Sequence, residues 1–292
     1  MGISVGLVVL PSDRWSEGRR QWEWAEDTGF PTAYTYDHLR WGGMPAGPWH
    51  AAYPLLAAAA GVTSRIRLGT LVTSPNFRQP ATLAREVVTL DDLSGGRFDL
   101  GIGAGSQGPD AVVLGQDQWS TAERGDRFAE FVALLDRLLT APVTTWSGRY
   151  YRAVEAPTTP GCLQTPRVPF TVAGAGRRSL EVAARFGQRW VTVGPVGPGP
   201  RDAGTVLAAA RRQSERLSSA CVGADRDPAG IGRVFLAADP GLQPGSVGQF
   251  EDLAGPVEEM GFSEIVLHHP EQTGPFGGDR ATMAAISARY NA

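Results

Sequence analysis

An aspartate and a histidine stand together at Asp37-His38, directly after the β-rich run Thr32–Tyr36, and no other pair in the chain is better suited to acid–base work. An imidazole changes charge near neutrality, and a neighbouring carboxylate can orient it. Such a pair is commonly just a helix-capping Asp followed by a surface His; its place after a strand favours the functional reading. A second set, Gly174-Ala175-Gly176-Arg177, follows the run Val168–Ala173 and opens a helical pattern. It offers backbone N–H groups and a guanidinium to an anion, although a plain helix start reads the same way. All 27 basic residues are arginine, so Schiff-base and phosphate-binding lysines are excluded. His268-His269 supplies two more imidazoles, but adjacent strand residues face opposite sides and cannot share a metal ion. One of the two, His268, is expected to line a pocket.

Other signals carry less. Gly103-Ala104-Gly105-Ser106-Gln107-Gly108 fits a dinucleotide fingerprint, but no helix opens there and no acid ends the next strand, so no NAD domain is expected. Cys162 and Cys221 have neither paired nor zinc-binding spacing. A net charge of −3 without a basic block argues against nucleic acid and for a small-molecule ligand. No apolar run reaches the roughly 18 residues of a membrane span, and the start lacks a secretory signal, so the expected location is cytoplasmic.

These groups need a frame. Candidate strands fall at Ile3–Leu10, Thr32–Tyr36, Ile66–Val72, Arg97–Ile102, Val168–Ala173, Trp190–Val193, Gly232–Ala238 and Glu264–Leu267. Helical patterns alternate with them: Glu17–Gly29, Ala51–Val62, Ala81–Leu93, Glu123–Leu139, Arg177–Gly187, Ala203–Ala220, Val247–Met260 and Arg280–Tyr290. Eight strict β–α repeats predict an α/β fold, a (β/α)₈ TIM barrel occupying residues 1–292 as one domain, with insertions after strand four near 104–126 and 143–155. Reactive groups then belong where strands end at their carboxyl side. That rule selects Asp37, His38 and Trp41; Thr73, Ser74 and Asn76; Ser106 and Gln107; Gly174, Gly176 and Arg177; and His268 and His269.

An ordered series of motifs runs through Ala25-Glu26-Asp27-Thr28-Gly29-Phe30 to Asp37-His38, then Thr63 to Thr70 and Arg78-Gln79-Pro80-Ala81. Its strongest part is Thr89 to Phe98 followed by Gly101-Ile102-Gly103-Ala104-Gly105; Leu114-Gly115, Arg124, Arg127-Phe128 and Pro169 to Gly176 continue it. In this series the chain resembles the luciferase-like flavin- and deazaflavin-dependent oxidoreductases.

The resemblance implies an oxidoreductase with a flavin across the barrel mouth, its phosphate near Gly174, Ala175, Gly176 and Arg177. It implies ring contacts from Asp37, a non-proline cis peptide near Leu71-Val72 followed by Thr73 and Ser74, and contacts from Gly105 and Ser106. His38 and Asp37 are the implied catalytic pair, with Tyr36, Trp41, His50 and His268 on the substrate side. The sugar-phosphate dehydrogenases of the family carry a glutamate where this chain has Ser106, and they use lysines this chain lacks; the sequence leaves open whether Asp110 reaches the place of that acid. The expected cofactor is coenzyme F420, which moves hydride to or from a small organic substrate; the alternative is FMN in an oxygen-using monooxygenase fed by a separate reductase. A non-catalytic flavin-binding relative is the rival of a different class. A homodimer is expected, as is common in the family.

Overall fold

The computed structural model describes residues 2–105, 109–117, 119–197, 199, 201–270 and 275–292. Eight parallel strands close a barrel: β1 (Ser4–Val8), β2 (Thr32–Thr35), β3 (Arg67–Thr70), β4 (Phe98–Gly103), β7 (Phe170–Ala173), β8 (Arg189–Thr192), β9 (Gly232–Leu236) and β10 (Glu264–His268). Its outer ring contains α1 (Trp15–Asp27), α2 (Ala52–Ala60), α3 (Pro80–Leu93), α5 (Thr121–Thr140), α6 (Arg177–Phe186), α7 (Ala203–Val222), α8 (Val247–Glu259) and α9 (Arg280–Tyr290). This is the (β/α)₈ barrel expected from the repeat pattern. Between β4 and β7 lie a short helix, α4 (Pro109–Val113), and an antiparallel hairpin, β5 (Val143–Ser147) with β6 (Arg152–Pro157). The sequence reading treated the first of these stretches as irregular throughout. A five-residue helix with little hydrophobic periodicity escapes such a reading.

Each strand serves two environments because successive side chains alternate. In β4, Phe98, Leu100 and Ile102 join the apolar layer shared with the helices, while Asp99, Gly101 and Gly103 face the barrel interior. The helices supply the other half of that layer. In α5 the buried set Phe128, Phe131, Val132, Leu135, Leu138 and Leu139 repeats at helical spacing. A capping box, in which the Ser120 hydroxyl accepts from the Glu123 N–H and Glu123 accepts from the Ser120 N–H, fixes where that helix starts.

The barrel floor is polar. Arg67, Arg189 and Glu264 are the first residues of their strands and Asp99 the second of its own, so all four charges gather at the amino ends, opposite the mouth. Arg67 and Arg189 both pair with Asp99, and Arg189 reaches Glu264 at 3.1 Å. Thr32 and Tyr34 add hydrogen bonds to Glu264. The Tyr34 ring fills the interior beside Gly69, where a Cβ would lie 3.0 Å from the ring and 2.6 Å from the Asp99 carbonyl oxygen. Any side chain there collides with backbone. Burial raises the Glu264 carboxyl above its usual range, and the Arg189 charge opposes that rise.

Removing one partner from a buried ion cluster leaves the other uncompensated, at a cost of about 3–5 kcal/mol. Arg189→Met is therefore expected to destabilise the barrel by an amount of this order in urea unfolding. Wild-type stability in that variant would show that the floor does not depend on this charge.

Candidate active site

Alternation decides the fates of the residues ending β2. Tyr36 and His38 share one side of the chain and Asp37 takes the other. Asp37 is buried, and its carboxylate receives Arg78 through two parallel bonds, Nη2 at 2.7 Å and Nε at 3.0 Å. The Thr73 hydroxyl donates to it at 3.0 Å, and the Tyr53 hydroxyl lies 2.9 Å from that of Thr73. Arg78 stacks over Tyr53 and also pairs with Glu86 at 3.1 Å. This bidentate pair ties the end of β2 to the loop after β3.

His38 has a different partner. Its Nδ1 lies 2.8 Å from Oδ2 of Asp110 on α4, and Oδ1 of Asp110 accepts from the backbone N–H groups of Leu39 at 2.8 Å and Arg40 at 3.2 Å. Burial raises the Asp110 carboxyl, but the hydrogen bond and charge of His38 and the two N–H groups outweigh it and hold the group below its usual range. An ionised carboxylate only accepts, so Nδ1 carries a proton and Nε2 is left to exchange one. The carboxylate that orients His38 is thus Asp110, not the adjacent Asp37.

Aromatic side chains wall the mouth. Trp41 stacks on Trp49 with centroids 5.5 Å apart and on Phe276 at 6.2 Å, and Tyr36 leans on Trp41 at 5.5 Å. Trp49 packs 6.3 Å from His38. The sequence reading named His50 for this wall. In the structure His50 is exposed, and its neighbour Trp49 occupies the place beside His38. Trp49 and Phe276 carry no motif, and sequence reasoning passed them over; Trp49, next to a named residue, was the most findable. His268 faces inward, with Nε2 2.6 Å from the Tyr36 hydroxyl, while His269 packs edge-on against Trp24 of α1. The pair is split between the two faces of β10, as the alternation requires.

The floor of the mouth comes from β3, β4 and β7. The Leu71-Val72 peptide is cis, at the place the family resemblance indicated. Pairing resumes beyond it, with the Thr73 N–H donating to the Gly101 carbonyl at 2.8 Å and Thr73 and Ser74 both buried. Gly105 has φ of +73°, and a Cβ there would lie 2.5 Å from the Asn76 amide, so only glycine fits. Ser106 and Gln107 lie outside the described residues. Gly176 caps α6 without a side-chain cap bond among the described residues and with nothing within 4 Å of where its Cβ would stand. The Arg177 side chain turns outward instead, pairing with Glu181 at 2.8 Å while 78% exposed. The polar groups left open at this turn are backbone N–H groups.

The lowered carboxyl of Asp110 gives a pH signature. Its link to His38, Leu39 and Arg40 contributes stability above the unfolded value of about 3.9 and loses it as pH falls through the lower folded value. Wild type is expected to exceed Asp110→Asn in stability at neutral pH, with the difference closing under strongly acid conditions in pH-dependent unfolding. A difference that persists unchanged into acid would mean the carboxylate is not the source.

A model of the luciferase-like monooxygenase family matches residues 4–239. An F420-dependent glucose-6-phosphate dehydrogenase from Beutenbergia cavernae is 35% identical over 173 residues, 57% of this chain and 49% of that protein. An F420-dependent hydroxymycolic acid dehydrogenase from Mycobacterium tuberculosis is 32% identical over 178 residues, 57% of this chain and 46% of that protein. The chain thus spans about half the length of these curated relatives. An F420-dependent secondary alcohol dehydrogenase, solved in complex with an F420-acetone adduct, superposes with a TM-score of 0.82 at 18% identity over 98% of both chains. A monooxygenase from Streptomyces bottropensis gives 0.75 at 20% identity, over 99% of this chain and 96% of that one. Both structures share the fold. From β1 past the end of β9 the family model follows the chain, and the chain belongs to the luciferase-like monooxygenase family.

Proposed function

We propose that this protein is a coenzyme F420-dependent oxidoreductase acting on a small organic substrate. The observation that carries the reading is His38: an imidazole at a strand's carboxyl end, 29% exposed at its side chain, with Nδ1 fixed by a buried carboxylate and Nε2 left to work. The two relatives described above are named as F420-dependent dehydrogenases, which favours the deazaflavin over FMN.

The residues present fit such a cofactor. The indole N–H of Trp49, beside His38, is buried without a partner among the described residues, as a donor reserved for a ligand would be. The open first turn of α6 offers N–H groups and a helix dipole to phosphate at Gly174 to Arg177. The small residues Gly103, Ala104, Gly105 and Ala173 end β4 and β7 around the Leu71-Val72 peptide and leave room for a flat ring. Bound there, deazaflavin supplies a carbon that accepts or releases hydride as a two-electron unit. Nε2 of His38 takes the hydroxyl proton as an alcohol is oxidised, or returns one as a carbonyl is reduced. Asp110 holds the ring for that exchange. The aromatic walls exclude water from the reacting atoms. A homodimer belongs to the same reading, whereas a separate reductase belongs to the FMN alternative.

His38→Ala is expected to bind F420 nearly as wild type, by quenching of deazaflavin fluorescence, and to lose turnover roughly 10²–10⁴-fold with any accepted substrate. Asp110→Asn should show a smaller loss of kcat at similar cofactor affinity. Unchanged turnover in His38→Ala would remove the imidazole from the chemistry.

A further inference from the structure

The helix that holds His38 also presents apolar side chains at the barrel mouth. On α4, Asp110 and Ala111 are buried, whereas Val113 and Leu114 are 52% and 45% exposed. The helical turn runs on through Leu114: the Gly115 N–H donates to the Val112 carbonyl at 3.0 Å and the Gln116 N–H to the Ala111 carbonyl at 3.0 Å, and Gly115 closes the turn with φ of +65°. Residues three and four apart lie on one helix face, so Val113 and Leu114 stand on the side that carries Asp110. That side reaches His38 and the N–H groups of Leu39 and Arg40. Packed protein beyond Asp110 would bury both side chains; their exposure means that they overhang an opening.

Leu39 meets them from the end of β2. A bend at Leu39 and Arg40 ends the strand alternation, and the bond from the Leu39 N–H to Asp110 holds this residue beside α4, where it is 40% exposed. Arg40 turns back into its own loop, its Nε on the Pro45 carbonyl at 3.2 Å. In the aromatic wall, Trp41, Met44 and Trp49 are also only partly buried, and Trp49 packs against His38. The imidazole thus has open apolar surface both in the wall and at the α4 rim. Single exposed aliphatic residues are ordinary, but a group of them beside a reactive centre marks a place that takes up an apolar ligand.

We propose that Leu39, Val113 and Leu114 form a subsite for a hydrocarbon portion of the substrate, and that the substrate is an uncharged alcohol or carbonyl compound carrying an aliphatic chain or ring. This rests on the oxidoreductase reading above and names its substrate class. The occupant is substrate because one carboxylate sets the whole arrangement. Asp110 fixes the His38 ring, the Leu39 backbone and the face of α4 together, so the apolar rim keeps a set relation to the reacting group. A hydroxyl or carbonyl served by Nε2 of His38 then leaves its hydrocarbon to extend outward over the rim. A sugar phosphate would gain nothing from these side chains.

Binding of 2-pentanol, 2-heptanol and 2-nonanol by calorimetry tests it without relying on turnover. In wild type the affinity is expected to rise roughly two- to fourfold per added methylene. In a Leu39→Ser, Leu114→Ser double variant the gain per methylene should fall toward none, and Leu114→Ser alone should lower it in part, which serves if the double variant does not fold. Val222→Ser, which removes another exposed aliphatic side chain at the far end of α7, should keep the wild-type gain. No gain per methylene in wild type, or an undiminished gain in the rim variants, would overturn the proposal. Light scattering on the same samples reports the rival occupant: a dimer that the rim substitutions split while the chain-length gain persists would assign the patch to a second copy and overturn it too. Deazaflavin fluorescence reports the cofactor separately. Absence of F420 quenching with the chain-length gain intact would sink the cofactor reading and leave the subsite standing.

Discussion

The bidentate bond between Asp37 and Arg78 is the constraint on which the barrel mouth depends. It locks the end of β2 to the loop after β3, with Thr73, Tyr53 and Glu86 completing the knot. Because adjacent side chains diverge, turning Asp37 into the protein turns Tyr36 and His38 toward the opening. His38 then needs its own restraint, which comes from Asp110 on a helix inserted after β4. Three loops of the barrel thus converge on one imidazole, and none of the three holds it alone.

The two ends of the barrel divide the labour. At the amino ends, Arg67, Asp99, Arg189 and Glu264 fill the interior with opposed charges around the Tyr34 ring. At the carboxyl ends the inner side chains shrink to Gly103 and Ala173 or turn aromatic at Tyr36 and His268. Between these ends lies an apolar girdle that includes Val8, Val191, Val234 and Val266. A plugged floor and an open mouth leave one end of the barrel for the proposed cofactor and substrate.

The β–α rhythm made the barrel legible, since each strand is a short apolar run and each helix has a periodic buried face. Strand positions at the mouth followed from the same rhythm, which is why His38, Thr73, Ser74 and His268 could be named in advance, whereas Tyr36 was named only through the family resemblance. The alternation that separated His268 from His269 also separates Asp37 from His38, yet the sequence reading took that pair as one unit. The pairing His38–Asp110 spans 72 residues and an insertion without periodicity, so nothing local encodes it. His50 and Trp49 show a finer limit: in a glycine- and proline-rich loop neither helical nor strand spacing says which of two neighbours faces in. The charged floor was equally silent, because Arg67, Asp99 and Glu264 read in one dimension as strand-end charges in contact with water.

The central claim is that this mouth was built around a deazaflavin. A direct competition between F420 and FMN for the purified protein, followed by deazaflavin fluorescence quenching and by calorimetry, tests it most directly. Saturable one-to-one binding of F420, undisturbed by FMN at equal concentration, is the result this account predicts. Binding of FMN that excludes F420, or binding of neither, would contradict it.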